Sequence, residues 1–405
     1  ACEAGKYKIS LGSYDCTLCA RDTYGETLGA ESPTSCTDCP AYSESLSGST
    51  SVLDCLCSPG YGYYNDSCHA CQSGKFKIRP ANAICEDPYG IGEGCYVDGN
   101  LSIACFNGPS GVSVLVKDSD TLVVVSEVGN HVLRYINAIT LQVGTLAGNG
   151  YVGYADGEAR SAMFNHPVAV ATSPDQSLVL VADGFNHRIR SFNVSNSSVS
   201  TLAGDGGAGL KDGIGTSAKF DFPSALCFFA DGLKVAVTDM YNNKIRIIDL
   251  LDRQVTTLST IGNPAFRPDF VYPAGIAITT GDVSAFVTDQ YRSEVVEVDL
   301  SDGTVRQRRS MGNVLCLDGS RRQVDFAFPR ALAISGNFLL ISDSDNDQVR
   351  LLDLRSNLMS TILAGGLDKP QGLAVLEEQG IVIICNGGNH QITVGLIQNR
   401  SNHCA

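Results

Sequence analysis

The sequence predicts an all-β protein, a β-propeller built from six copies of one unit and entered through a disulfide-rich rod. Three observations predict it. Twelve of the sixteen cysteines fall within the first 105 residues, and a proline-led pattern recurs six times from Pro109 onward. The runs between are short, β-branched and of period 2, with no helix signals.

"CTLCARDTYGETLGAESPTSCTDC", Cys16 to Cys39, holds two C-x-x-C pairs at a spacing that suits one tetrahedral zinc. One zinc takes four thiolates. Cys2, Cys16, Cys19, Cys36, Cys39, Cys55, Cys57, Cys68, Cys71, Cys85, Cys95 and Cys105 make an even dozen beside a single histidine, His69. A segment with so little apolar material needs covalent staples, which favours disulfides. Five N-x-S/T sequons, at Asn65, Asn100, Asn193, Asn196 and Asn399, agree with a secretory route. The compartment is therefore expected to be oxidising, and the protein a glycoprotein, secreted or on the extracellular surface.

If each C-x-x-C closes one loop and opens the next, four of the five loops carry Tyr or Phe four or five residues after the opening cysteine, at Tyr7, Tyr24, Tyr61 and Phe76. Here, over about residues 1–85, the chain resembles the cysteine-rich, EGF-like repeats of the tumour-necrosis-factor-receptor and ephrin-receptor type. The resemblance implies the pairs Cys2–Cys16, Cys19–Cys36, Cys39–Cys55, Cys57–Cys68 and Cys71–Cys85.

At 405 residues the chain has room for two or three domains. It starts at Ala1-Cys2, as expected of a processed form or part of a longer protein, and has no apolar run long enough to span a bilayer. A net charge of −14 without a basic patch disfavours nucleic acid and anionic membrane as partners.

The repeat has two anchors. The first is "PSGVSVLV", "PVAVATS", "PSALCFF", "PAGIAIT", "PRALAIS" and "PQGLAVL", starting at Pro109, Pro167, Pro223, Pro273, Pro329 and Pro370. The second holds an acidic or amide residue at Glu127, Asp183, Asp239, Asp289, Asp343 and Asn386, followed three residues later by Asn130, Asn186, Asn242, Arg292, Asn346 and Asn389. Asx side chains accept from nearby backbone N–H groups, which suits a turn between strands. Units of 41 to 58 residues with several short strands point to a propeller. The motif is similar to the NHL repeat over residues 109–400, which implies a six-bladed ring. Arg292 and Asn386 depart from the pattern, so altered turns are expected in blades four and six.

Between blades, "YADGEARSAMFNHP" and "LKDGIGTSAKFDFP" are near copies, with eleven residues from Asp-Gly to the anchor proline. Phe164, Phe220, Phe270 and Phe326, each three residues before that proline, are expected to fill the wedges between blades. Aligning "LSIACFNGPSG" with "TILAGGLDKPQG" makes Leu101–Cys105 the outer strand of blade six, closing the ring. Cys404 then has two fates, a bridge to Cys95 or Cys105, or freedom beside a local Cys95–Cys105 loop. The expected layout is a rod over 1–85, a connecting segment over 86–100 and the propeller over 101–405.

His131, His187 and His390 share one turn position, but blades stand too far apart for a common metal, so exposed turn residues are expected. "DSDND" at Asp343–Asp347 lacks the glycine and glutamate of a calcium loop. No metal or other cofactor is expected, and no nucleophile, metalloprotease or phosphate-cradle motif occurs. The expectation is a non-catalytic extracellular module for adhesion, ligand binding or assembly of a fibre. Its partners would be a protein or glycan, or a second copy head to tail in a filament. The alternative is a secreted propeller lyase or hydrolase working in the central channel. Sequons after third strands mark one face, so the partner is expected on the other, at Tyr151, Tyr154 and Met163.

Overall fold

The structure, a computed structural model, describes residues 94–397 except 101–102, 118–119, 261–269, 310, 316–320 and 365, with shorter stretches of 2–70. The chain divides into two compact units, Ala1–Pro88 and Tyr89–Ala405.

In the first unit Cys2–Cys16, Cys19–Cys36 and Cys39–Cys55 are bonded as the resemblance implies. Two-residue strands pair inside the loops, Lys6–Tyr7 with Thr17–Leu18 and Thr23–Tyr24 with Thr37–Asp38. Tyr7 then bridges to Ala30 and Tyr24 to Ser49, each one loop further on, so the aromatic position ties its loop to the next. Cys2, Cys19 and Cys55 are buried, so sulfur takes the place of an apolar core. The side chains of Cys57, Cys68, Cys71, Cys85 and Asn65 lie outside the described residues, as do Asn399 and Cys404.

The second unit is a six-bladed propeller, all-β, with no α-helix among the described residues. The innermost strands are Pro109–Lys117, Pro167–Thr172, Pro223–Phe228, Pro273–Ile278, Pro329–Ser335 and Pro370–Leu376. Proline opens each because a strand's first residue needs no ladder donor. The second strands, such as Leu178–Asp183 and Ser284–Asp289, are almost wholly buried. They read as unbroken apolar runs because neighbouring blades cover both faces of each sheet.

The wedges are filled as expected. Phe164 packs between blades one and two, Phe220 between two and three, Phe270 between three and four, and Phe326 between four and five. Leu367, also three before its proline, takes that place between five and six.

The acidic position does more than cap a turn. Glu127, Asp183, Asp239, Asp289 and Asp343 are fully buried. In blade two, Asp183 accepts from the Asn165 backbone N–H at 2.7 Å, from Asn186 Nδ2 at 2.8 Å and from Arg190 Nη1 at 2.8 Å. Blade three repeats this with Asp221, Asn242 and Arg246 around Asp239. Each arginine also binds an aspartate of the preceding connection, Arg190 with Asp156 at 2.6 Å and Arg246 with Asp212 at 2.8 Å. Its guanidinium lies about 5 Å from the wedge ring, Phe164 or Phe220. Connection, turn and third strand are thus tied in one buried knot.

The two irregular blades keep the knot neutral by other means. Blade four has Val296 where the arginine would stand, and Arg292 supplies the cation to Asp289 at 3.2 Å. Blade six has Thr393 there and an uncharged Asn386, which accepts from the Asp368 N–H at 2.7 Å and donates to the Gly366 carbonyl at 3.0 Å. An unpaired buried charge costs far more than a paired one, so carboxylate and cation change together.

The ring closure differs from the sequence expectation. Gly99–Asn100 pairs with Gln142–Ala147, the outer strand of blade one. Cys105 is bonded to Cys95, and Leu101 and Ser102 lie outside the described residues. The reason is legible in retrospect. "YVDGNLSIACFNGP" keeps the eleven residues from Asp98 to Pro109, so the segment copies an inter-blade connection. Asp98 binds Arg134 at 2.7 Å, and Phe106 is a further buried wedge ring, against the Arg134 guanidinium. Innermost strands of blades six and one meet across the closure. Gly372 lies so near the Ser110 carbonyl that a Cβ would come within 2.3 Å of its oxygen.

Candidate binding face at the channel mouth

One residue before each anchor proline and one residue after each turn asparagine (Arg292 in blade four) adopt the left-handed conformation. Gly108, His166, Phe222, Tyr272, Phe328 and Lys369 are the first set, and His131, His187, Asn243, Ser293, Asp347 and His390 the second, all with φ between 50° and 60°. The two sets meet across every blade junction. His131 Nδ1 accepts from the His166 N–H at 3.3 Å, His187 Nδ1 from Phe222 at 3.2 Å and Asn243 Oδ1 from Tyr272 at 2.9 Å. Ser293 Oγ accepts from Phe328 at 3.5 Å, Asp347 from Lys369 at 2.8 Å and His390 Nδ1 from Gly108 at 2.9 Å. The last of these spans the ring closure. The three histidines are therefore acceptors in inter-blade clasps, not merely exposed turn residues.

The clasp makes a pH prediction. Burial, then the neighbouring His166, holds the His131 imidazole below its ordinary 6.5. A protonated ring cannot accept at Nδ1, so this contribution is present above 6.5 and lost as pH falls through the depressed value. His131→Asn copies Asn243 of blade three. It is expected to reduce the stability lost on going from about pH 7 to about pH 5 by about 1 kcal/mol. Urea midpoints at the two pH values check this, and identical losses would show that the clasp does not titrate.

Of the clasp side chains, His166 and Phe222 line the central channel. His131, His166, Phe185, Phe222, Tyr241, Tyr272 and Tyr291 form a chain of rings across blades one to four, with neighbouring centroids 4.6–6.0 Å apart. Phe328 holds the equivalent position of blade five and is also exposed. Phe185, Tyr241, Tyr272, Tyr291 and Phe328 are 39–68% exposed. Glycine would hold the left-handed positions with least strain, and Gly108 does so. At the other five the chain carries His, Phe, Tyr, Phe and Lys, each straining the backbone by about 1–3 kcal/mol. Such strain is retained where side chains are needed. Beneath the crescent lies a channel cavity of about 500 Å³, lined mainly by small and apolar residues of the innermost strands.

Sequence reasoning placed the binding residues nearby but not on this crescent. Tyr151 and Tyr154 are exposed on the connection between blades one and two, with Arg188 over the Tyr154 ring at 3.8 Å. Met163 is half-buried against Gly153. None of the three lines the channel. The signal that would have found the crescent is the residue before each anchor proline and the second residue after each buried acid. The sequons Asn193 and Asn196 lie in the turn between third and fourth strands, and Asn100 pairs with Gln142 beside the equivalent turn. All three lie at the opposite ends of the strands from the crescent. Cys227 and Cys385 are unpaired thiols inside blades, and burial pushes Cys227 up to about 11.

Six proline-led blades joined by clasps, five with the buried acid and five with the turn asparagine, define the second unit as an NHL-repeat six-bladed β-propeller, preceded by disulfide-bonded loops. No protein-family model matches the chain. It is 28% identical over 174 residues to NHL repeat-containing protein 2 of Homo sapiens, covering 41% of this chain and 23% of that protein. The chain spans less than a quarter of the length of the curated relatives it matches. Among solved structures it is similar to a protein of unknown function from Bacteroides thetaiotaomicron, with TM-score 0.56 and 15% identity over 81% of this chain and 84% of that one. A gluconolactonase from Xanthomonas campestris aligns with TM-score 0.52 and 14% identity over 72% of this chain and 87% of that one. At these identities the solved structures show the fold alone.

Proposed function

We propose that this chain is a non-catalytic extracellular binding module that docks a protein partner on the aromatic crescent. The crescent carries the reading: exposed Phe and Tyr side chains, held at strained backbone positions, form one contiguous patch. Aromatic residues are enriched at interface centres because they bury much area for little lost rotamer freedom. The disulfides support an oxidising location, and no helix among the described residues is long and apolar enough to cross a membrane. Glycans on Asn100, Asn193 and Asn196 would cover the opposite face and leave the mouth clear. The disulfide-bonded rod serves as a spacer in this reading.

Tyr272→Gly separates binding from folding. Removing a side chain from a left-handed position relieves strain, so the unfolding temperature is expected to stay level or rise slightly, whereas removal of a core ring would lower it. Retention of the secreted protein on the surfaces that capture it is expected to fall at least about tenfold, the scale of an interface hot spot. Unchanged retention in the folded variant would overturn the docking face.

A further inference from the structure

We propose that the channel beneath the crescent is a site for a small organic monocarboxylate, with the carboxylate on Arg330 and the apolar body deeper in the channel. Arg330 is the one permanently charged side chain among the described residues that line the channel. It follows directly on the anchor proline of blade five, where the other blades carry Ser110, Val168, Ser224, Ala274 and Gln371. The arginines at the blade knots, Arg134, Arg190, Arg246 and Arg350, each hold a carboxylate at 3.0 Å or less. Arg330 does not. Among the described residues no carboxylate comes within ion-pairing distance of it, and its Nη1 donates to Gln371 Oε1 at 2.7 Å. Asp345, exposed on the blade-five turn, acts on it only at longer range. Arg330 is half-buried, and burial lowers its pKa. Among the described lining residues the other group able to carry positive charge, His166, is also held low by burial and adds none near neutrality.

The surroundings complete the site. Gln371 is held against Gly387, where a Cβ would come 2.7 Å from Nε2, and Ser110 Oγ lies 3.5 Å from its Oε1. Gln371 therefore orients the guanidinium, leaving its other N–H groups for a ligand. Two residues further along each innermost strand, Val112, Val170, Leu226, Ile276, Leu332 and Leu373 form an apolar ring. A cation above an apolar ring fits a carboxylate carried on a hydrocarbon body, and about 500 Å³ suits a ligand of modest size.

The inference is independent of the docking face, and its test does not involve the crescent. Isothermal calorimetry on the intact chain compares octanoate with octanamide, which differ in charge but hardly in shape. Octanoate is expected to bind at least about tenfold more tightly, the difference made by a charge-assisted pair. Arg330→Met is expected to remove that preference and Arg330→Lys to keep part of it, with unfolding temperatures reporting that each variant folds. Equal binding of acid and amide, no binding of octanoate, or a preference surviving in Arg330→Met would overturn the site. The acid-amide comparison needs no variant, so a misfolded Arg330→Met leaves the test decisive.

Discussion

Asp239→Ala is expected to remove about 3–5 kcal/mol of folding stability, because it strands the fully buried Arg246 guanidinium without its Asp239 carboxylate. Burial pushes the Asp239 carboxyl up, while Asn242, the Asp221 N–H and Arg246 pull it back down. Much of the loss therefore reflects the unpaired partner, not the worth of the pair. Blade six shows the alternative, with Asn386 and Thr393 at the two positions. The double variant Asp239→Asn, Arg246→Thr is accordingly expected to lose less than Asp239→Ala alone. Urea unfolding of the two variants checks this, and a double variant worse than the single one would mean that the charges stabilise the blade outright.

Phe164→Ala is expected to cost a similar amount, about 3–5 kcal/mol, through a cavity between blades one and two. Its ring touches both blades and flanks Arg190, so neither side can collapse into the space without moving the knot. Phe106→Ala tests the corrected closure in the same experiment. As a wedge ring against Arg134 it should cost as much as Phe164→Ala. If Phe106 lay on a loose connector, its loss would hardly register.

The fold was legible because its repeat is written twice per blade, in the anchor proline and in the acid–asparagine turn. Phe164, Phe220, Phe270 and Phe326 recur three residues before the proline, and that recurrence was enough to place them in the wedges. Two features were harder to read. The arginine seven residues after the acid, as in Asp183 and Arg190, looks like an exposed residue of an alternating strand, and only the fold shows that its partner comes from the preceding connection. The segment from Asp98 to Pro109 is ambiguous in sequence because "LSIACFNGPSG" aligns with "TILAGGLDKPQG" while its Asp-Gly spacing copies the other connections, and only the paired strands decide between the two. The crescent was missed for a related reason. Its rings lie far apart in sequence, and His166, Phe222 and Tyr272 join one chain only through Phe185 and Tyr241, which the turns contribute once the blades stand side by side.

We propose that a partner covers the channel mouth and not the sequon side. Hydroxyl-radical footprinting of the protein, free and bound to a surface that retains it, tests this most directly, since Tyr and Phe rings report their own accessibility. Protection of Phe185, Tyr241, Tyr272 and Tyr291 in the bound state, with unchanged labelling around Asn193 and Asn196, is the predicted result. Rings labelled equally in both states, with protection confined to the sequon side, would contradict it.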